Sequence, residues 1–300
     1  VRARLSNFGA SKVSGYLVIS AVVLIWAGFA LTLRAIGKSP LSAADVGLIR
    51  FAVPALCLLP FLRSYLAQLR RVRFRDLLLV LLGGVPFFLV ASAGARSTST
   101  AHVSALIAGT APLSVALISF LLEKSAIPKK RWFALGLIAL GAVGMIATQP
   151  AGGTHSDPWG CLTLLFASLL WGAYTVGVRR AGLDAIANAL ILTVLSLMIL
   201  GALSLVGVTE SHLGQFSWRE ALPFVLVQGL GVGLIATVGY SFAIGRLGSS
   251  RSAVIGSLAP GLSAVLAVFI FGEALNFATM ACIAVLTFGV ILANRSLGKN

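Results

Sequence analysis

Runs of about twenty apolar residues follow one another along almost the whole of this sequence, and they confine the chain to one kind of surroundings. They lie near 15–36, 43–62, 77–95, 102–122, 132–148, 159–178, 186–208, 221–244, 252–272 and 276–294. A helix needs about 20 apolar residues to cross a bilayer core roughly 30 Å thick. The runs lack a period of two and are too long for strands of a membrane barrel. Only 10% of the 300 residues are charged and the mean hydropathy is +1.01, whereas a soluble domain carries about a quarter charged residues. The sequence therefore predicts an all-α integral membrane protein with ten transmembrane helices and short loops. The first run follows Arg2, Arg4 and Lys12. It is longer than the apolar part of a cleaved signal, and no small-residue cleavage site follows it. Cys57, Cys161 and Cys282 fall in separate runs and read as small packing residues, not as disulfide or metal partners.

A net charge of +15 invites a nucleic-acid reading, but the placement of the charges explains it otherwise. With the N-terminus in the cytoplasm, only Arg34, Lys38, Arg96 and Arg219 fall on the far side, and Arg50 falls within a run. The rest of the 23 Lys and Arg residues lie on the near side. This is the positive-inside distribution, and it predicts a multi-pass inner-membrane protein with both termini cytoplasmic. The basic stretch at 63–75 reads as a tether to anionic headgroups. No nucleic-acid partner is expected.

The pattern divides into five runs and five runs. The expected units are 1–148 and 159–300, with a linker at 149–158 rich in Pro, Gly, Ser and Thr. Trp26, Arg34 and Gly37 recur as Trp171, Arg179 and Gly182 at one constant offset. Ser104 through Pro112 parallels Ser252 through Pro260, and the acids Glu123 and Glu273 close the same runs, the second two residues late. Because five is odd, the second half enters the membrane from the opposite side, the inverted repeat of secondary transporters. Chance similarity from biased composition is the competing explanation.

These residues resemble the EamA-type members of the drug/metabolite transporter superfamily. The likeness rests on the tryptophan openings at Trp26 and Trp171, Leu48-Ile49-Arg50-Phe51, the Pro112-Leu113 centre of the fourth run, and Gly272-Glu273. It covers essentially the whole chain. It implies ten helices, alternating access and, most often, export of metabolites or drugs. The sequence departs from the family at Leu122-Glu123, where glycine commonly precedes the acid.

Candidate site residues follow from polar groups placed in apolar runs. Arg50 costs at least about 2.5 kcal/mol in hydrocarbon unless paired or hydrated. It reads either as a cavity cation for a carboxylate or phosphate, or as an arginine that snorkels or binds helix-end carbonyls. Asp45 stands five residues before it, just beyond helical pairing distance. Trp26, Trp171 and Tyr174 lie deep in their runs, away from the interfaces where tryptophan gathers. They line a central cavity or simply pack. Gln228 and Tyr240 need polar partners, from a wet cavity or from a neighbouring helix. Pro112 and Pro260 break their helices at equivalent places, as hinges or as packing kinks. His102 is a possible protonation site or an ordinary helix-end histidine. Gly229 through Gly233 permits close helix contact. The overlapping Gly231-Val-Gly233 motif lacks the strand–helix setting of a dinucleotide site.

All eight acids stand at the ends of runs or in loops, so none occupies the mid-helix relay position common in ion-driven pumps. No ATP-binding motif occurs. The expected function is a secondary transporter moving an amino-acid, organic-acid or drug-like metabolite, as exporter or exchanger, with an anionic or zwitterionic substrate favoured. An uptake permease of the same fold is the first alternative. An intramembrane lipid-modifying enzyme is the second, although no catalytic cluster, metal site or cofactor motif is visible. The expected partners are a small-molecule substrate and the bilayer, and the sequence carries no sign of oligomeric state.

Overall fold

The structure, a computed structural model, describes residues 12–148 and 158–295, and these are helical with short connections. The helices are α1 (Lys12–Ile36), α2 (Ala43–Leu69), α3 (Phe74–Arg96), α4 (Thr100–Glu123), α5 (Lys129–Ala147), α6 (Pro158–Ala181), α7 (Ala185–Leu205), α8 (Trp218–Leu247), α9 (Arg251–Phe271) and α10 (Phe277–Arg295). Among the described residues nine of them are long and apolar enough to span a membrane, and α5 offers the shorter apolar stretch Arg131–Ala147. The chain is a multi-pass membrane protein. Apart from Pro158, the expected linker lies outside the described residues, as do Arg2, Arg4, His155, Asp157 and Lys299.

Several helix limits differ from the apolar runs because polar caps set them. Helix α8 starts at Trp218, ahead of the run near 221, since Ser217 and Glu220 form a reciprocal capping box. Ser42 and Asp45 form the same box on α2. That helix runs on past residue 62 through a tight turn at Leu59–Phe61 and a final stretch, Leu62–Leu69, with Arg63 and Gln68 beside leucines.

The two halves interlock. Helix α1 packs on α8 and α9, and in the matching exchange α6 packs on α3 and α4. Helix α2 packs on α7, and α5 on α10. A two-fold relation between the halves gives this pattern, and the most extensive interfaces all join one half to the other. One close approach joins α2 and α8. A Cβ on Gly229 would stand 2.8 Å from Val53 Cβ, and one on Gly233 would stand 2.8 Å from Pro54 Cγ. Glycines four residues apart let the backbones meet, as in membrane helix pairs generally.

Helices α4 and α9 are each interrupted just ahead of a proline. In α4 the wide π-type turns of Ala105–Gly109 give way at Thr110 to the helix Ala111–Glu123, with Pro112 in its first turn. In α9 the break falls at Ser257–Leu258, and Pro260 opens Ala259–Phe271. Hydroxyls occupy the freed backbone groups: Thr110 Oγ1 donates to Leu106 O, and Ser168 of α6 donates to Ile107 O at 3.1 Å. Without such donors a broken helix would leave carbonyls bare in hydrocarbon.

Among the described residues three ion pairs close the two ends of the bundle, one at one end and two at the other. At the end where α1 and α9 finish, Arg34 Nε donates to Glu273 Oε1 at 3.3 Å. At the end where α4 and α6 finish, Arg179 Nη2 donates to Glu123 Oε2 at 2.6 Å, and Arg180 pairs with Asp76 at 2.8 Å.

Candidate functional site

Arg50 occupies the third turn of α2 and is buried between helices. Its Nη1 donates to Gln228 Oε1 at 2.6 Å, and Gln228 Nε2 donates to Thr32 Oγ1 on α1 at 2.8 Å. Gln228 lies on the stretch Val225–Ala236 of α8, wound in π-type turns that widen the helix toward α1 and α2. The guanidinium carbon sits 5.1 Å from the centroid of Phe29 and 5.6 Å from that of Phe88. These are cation–π distances. No carboxylate forms an ion pair with Arg50 among the described residues. Asp45 is committed elsewhere: it accepts from Ser42 N at 2.9 Å, Ser211 Oγ at 2.6 Å and His212 N at 3.0 Å.

From Arg50 an aromatic file crosses to the other half. Phe29 stacks on Phe87 (6.1 Å, 15°), Phe87 meets Trp171 at 5.1 Å, and Trp171 meets Tyr174 at 4.9 Å. The file ends where Asn188 Nδ2 donates to the Tyr174 hydroxyl at 2.6 Å. Two buried polar atoms nearby, Asn188 Oδ1 and Ser196 Oγ, have no hydrogen-bond partner. A buried acceptor in that state costs roughly 1–3 kcal/mol and favours a site that receives a donor from water or ligand.

The expected site residues thus fall into two groups. Arg50, Gln228, Trp171 and Tyr174 belong to one continuous polar and aromatic file. Trp26 and Tyr240 pair with each other at 5.0 Å in a separate apolar cluster with Ile19, Val22 and Ala243, where Trp26 lies against Gly256 of α9. His102 is buried in the first turn of α4. Its Nε2 faces Met145 O at 2.9 Å and its Nδ1 faces Ser99 Oγ at 2.7 Å. A carbonyl can only accept, so Nε2 carries a proton and donates to Met145 O. The Nε2 contact ties α4 to α5, and the Nδ1 contact holds the serine that caps α4.

Sequence reasoning missed Thr32, Phe29, Phe87, Phe88, Asn188 and Ser196. Asn188 had a signal, a polar amide inside an apolar run. Phe29 and Phe88 had none, since a phenylalanine over an arginine reads like any other in such runs. Among the described residues no group of three or more His, Cys, Asp or Glu side chains could hold a metal ion.

Comparison with known proteins gives this geometry its context. A transporter of Synechocystis sp., sll1319, is 26% identical over 205 residues, which is 64% of this chain and 59% of that protein. The aligned part thus spans less than two thirds of that relative. The inner membrane transporter YedA of Escherichia coli K12 is 24% identical over 284 residues, 93% of this chain and 89% of YedA. A crystal structure at 18% identity shares the fold with a TM-score of 0.63, covering 97% of this chain and 100% of the other. The sequence pattern of the EamA-like transporter family matches twice, over residues 13–147 and 158–295. The two interlocked five-helix halves are two copies of one domain, and the chain belongs to the EamA-like transporter family.

Proposed function

We propose that the protein is a secondary carrier that moves a small anionic or zwitterionic metabolite by alternating access between its two halves. The observation that carries this reading is Arg50, a buried cation bonded to a neutral amide, framed by aromatic faces and matched by no carboxylate among the described residues. A charge so placed is unfavourable by itself and is relieved when an anion arrives. The aromatic file between Phe29 and Tyr174 supplies the apolar walls that small-molecule sites share. The distribution of basic residues supports cytoplasmic termini, which makes the Arg34 end external and the Arg179 end cytoplasmic. Export or exchange then follows the gradient of the substrate.

Counterflow in proteoliposomes tests the reading, with amino acids, organic acids and cationic drugs offered in turn. Saturable counterflow of an acid is expected, reduced at least tenfold in Arg50→Gln and partly retained in Arg50→Lys. Equal counterflow of the same acid by Arg50→Gln, folded by its melting profile, removes Arg50 from the site. Absence of counterflow with every compound removes the carrier.

A further inference from the structure

Glu273 is engaged far more heavily than an ion-pair partner at a helix end requires. Besides Arg34, it accepts from Thr100 N at 2.8 Å and from Thr100 Oγ1 at 3.1 Å, so it ties α9 to the start of α4. Arg34 in turn donates to Arg96 O at 3.0 Å and Ala95 O at 3.4 Å, so it ties α1 to the end of α3. Four helices thus converge on one ion pair, whose side chains are only 5% and 17% exposed. Lys38 lies over Phe271 beside it, and a cleft of about 280 Å³ opens there between Arg34, His102, Glu273 and Thr279.

The repeat places a second pair at the other end. Arg179 is the repeat counterpart of Arg34, and Glu123 that of Glu273. Arg179 reaches Glu123 and, at 3.2 Å, Ser119 Oγ, but its side chain is 56% exposed and Glu123 27%. One pair is sunk among four helices and the other is held at the surface by two. Exposed pairs contribute little to stability, whereas breaking a buried pair leaves a charge without compensation. The two ends of this conformation are therefore unequally fastened.

We infer that Arg34–Glu273 and Arg179–Glu123 are twin latches, repeat-related positioning pairs that hold the two mouths of the transport pathway shut in turn. The conformation described here is firmly latched at the Arg34 end and weakly at the Arg179 end. Each latch joins the last turn of the first helix of one repeat (α1 or α6) to the end of a fourth helix (α9 or α4). Helices α4 and α9 both carry a break below that end, at Thr110 and at Ser257–Leu258, so the upper segment can tilt once its acid is released. The inference rests on alternating access as proposed above.

Two cysteine reporters at repeat-equivalent buried positions test it, Ala264→Cys below Glu273 and Ala116→Cys below Glu123, each introduced with Cys57, Cys161 and Cys282 replaced by alanine. The full-length protein is placed in nanodiscs, where a maleimide reaches both faces, and the labelling rate of each reporter is measured. Arg34→Gln or Glu273→Gln is expected to raise labelling at Ala264→Cys at least tenfold and to lower it at Ala116→Cys. Arg179→Gln should move the two rates in the opposite sense. Arg34→Lys, which keeps the cation and a donor for the Arg96 carbonyl, should hold both rates nearer the parent than Arg34→Gln does, a difference that a merely structural role would not give. Unchanged rates in folded single variants, with counterflow intact in the parent, overturn the latches and leave the carrier standing. A rise at the mutated end without a fall at the other overturns the alternation itself, and with it the proposed transport cycle.

Discussion

Lys124 (φ 51°) and Gly272 (φ 65°) turn the same left-handed corner at the ends of α4 and α9. The acids flank that corner on opposite sides, Glu123 just before it and Glu273 just after. This accounts for the two-residue slip between the repeats. It also accounts for the different settings of the two acids, since Glu273 is swung past the turn toward Thr100 and Arg34 while Glu123 remains on the helix facing Arg179.

The corner carries an unequal strain. A side chain in the left-handed region costs roughly 1–2 kcal/mol, partly offset in a Lys-to-Gly change by the greater freedom of unfolded glycine. Lys124→Gly is expected to stabilise the protein by about 0.5–1 kcal/mol, and Gly272→Ala to destabilise it by about 1–2 kcal/mol. Thermal unfolding in detergent should therefore shift in opposite directions for the two variants.

Gln228 holds the charge of Arg50 in place. A hydrogen bond to a charged group contributes about 1.5–3 kcal/mol, so Gln228→Leu should lower stability by about that amount. Removing both polar groups is less costly than removing one and leaving the other bare. The double variant Arg50→Leu/Gln228→Leu should thus be more stable than the two single losses add to. Strict additivity in this cycle would show the two residues to be independent.

The α2–α8 contact makes a sharper claim about glycine. Gly229→Ala and Gly233→Ala push a methyl group into Val53 and Pro54 and should each cost about 1–3 kcal/mol. Gly136 of α5 has nothing within 4 Å of its added Cβ, so Gly136→Ala should gain up to about 1 kcal/mol from helix propensity alone. Melting curves of the three variants read this difference directly.

Asp45 anchors the connection between α7 and α8 to the start of α2 through Ser211 and His212. Asp45→Ala should free that connection, lower stability by about 1–3 kcal/mol and raise its rate of proteolytic cleavage severalfold. A cleavage rate equal to that of the parent would mean that the loop is held by Pro40 O, which faces His212 Nδ1 at 2.8 Å, and by Ser42 Oγ, which donates to Glu210 O at 2.8 Å.

Much of the fold was legible because hydrocarbon leaves few choices. Ten apolar runs became ten helices, and Trp26/Trp171, Arg34/Arg179 and Glu123/Glu273 already marked the duplication. What could not be read was reach across the bundle. Arg34 and Arg179 counted as charges that set orientation, and nothing local joined Arg34 to an acid 239 residues later. Trp171 and Tyr174 were named but the Phe29–Phe87 part of the aromatic file escaped for the same reason, since those two lie in different helices and resemble every other apolar residue of their runs. Of the expected site, Arg50 and Gln228 were visible as polar groups out of place, and the structure bonds them to each other. Trp26 and Tyr240 stood out by the same rule but pair in a separate cluster.

The interlocking of the halves sets a schedule for making the protein. Arg50 is synthesised 178 residues before Gln228, and Arg34 239 residues before Glu273. At about 5–20 residues per second, each arginine waits roughly ten to fifty seconds for its partner. For that interval the first half is a nascent intermediate with both arginines still lacking these partners, Arg50 within an apolar run, and most of its helix contacts missing. The pace of synthesis through the second half therefore sets how long the first half waits for the contacts that complete it.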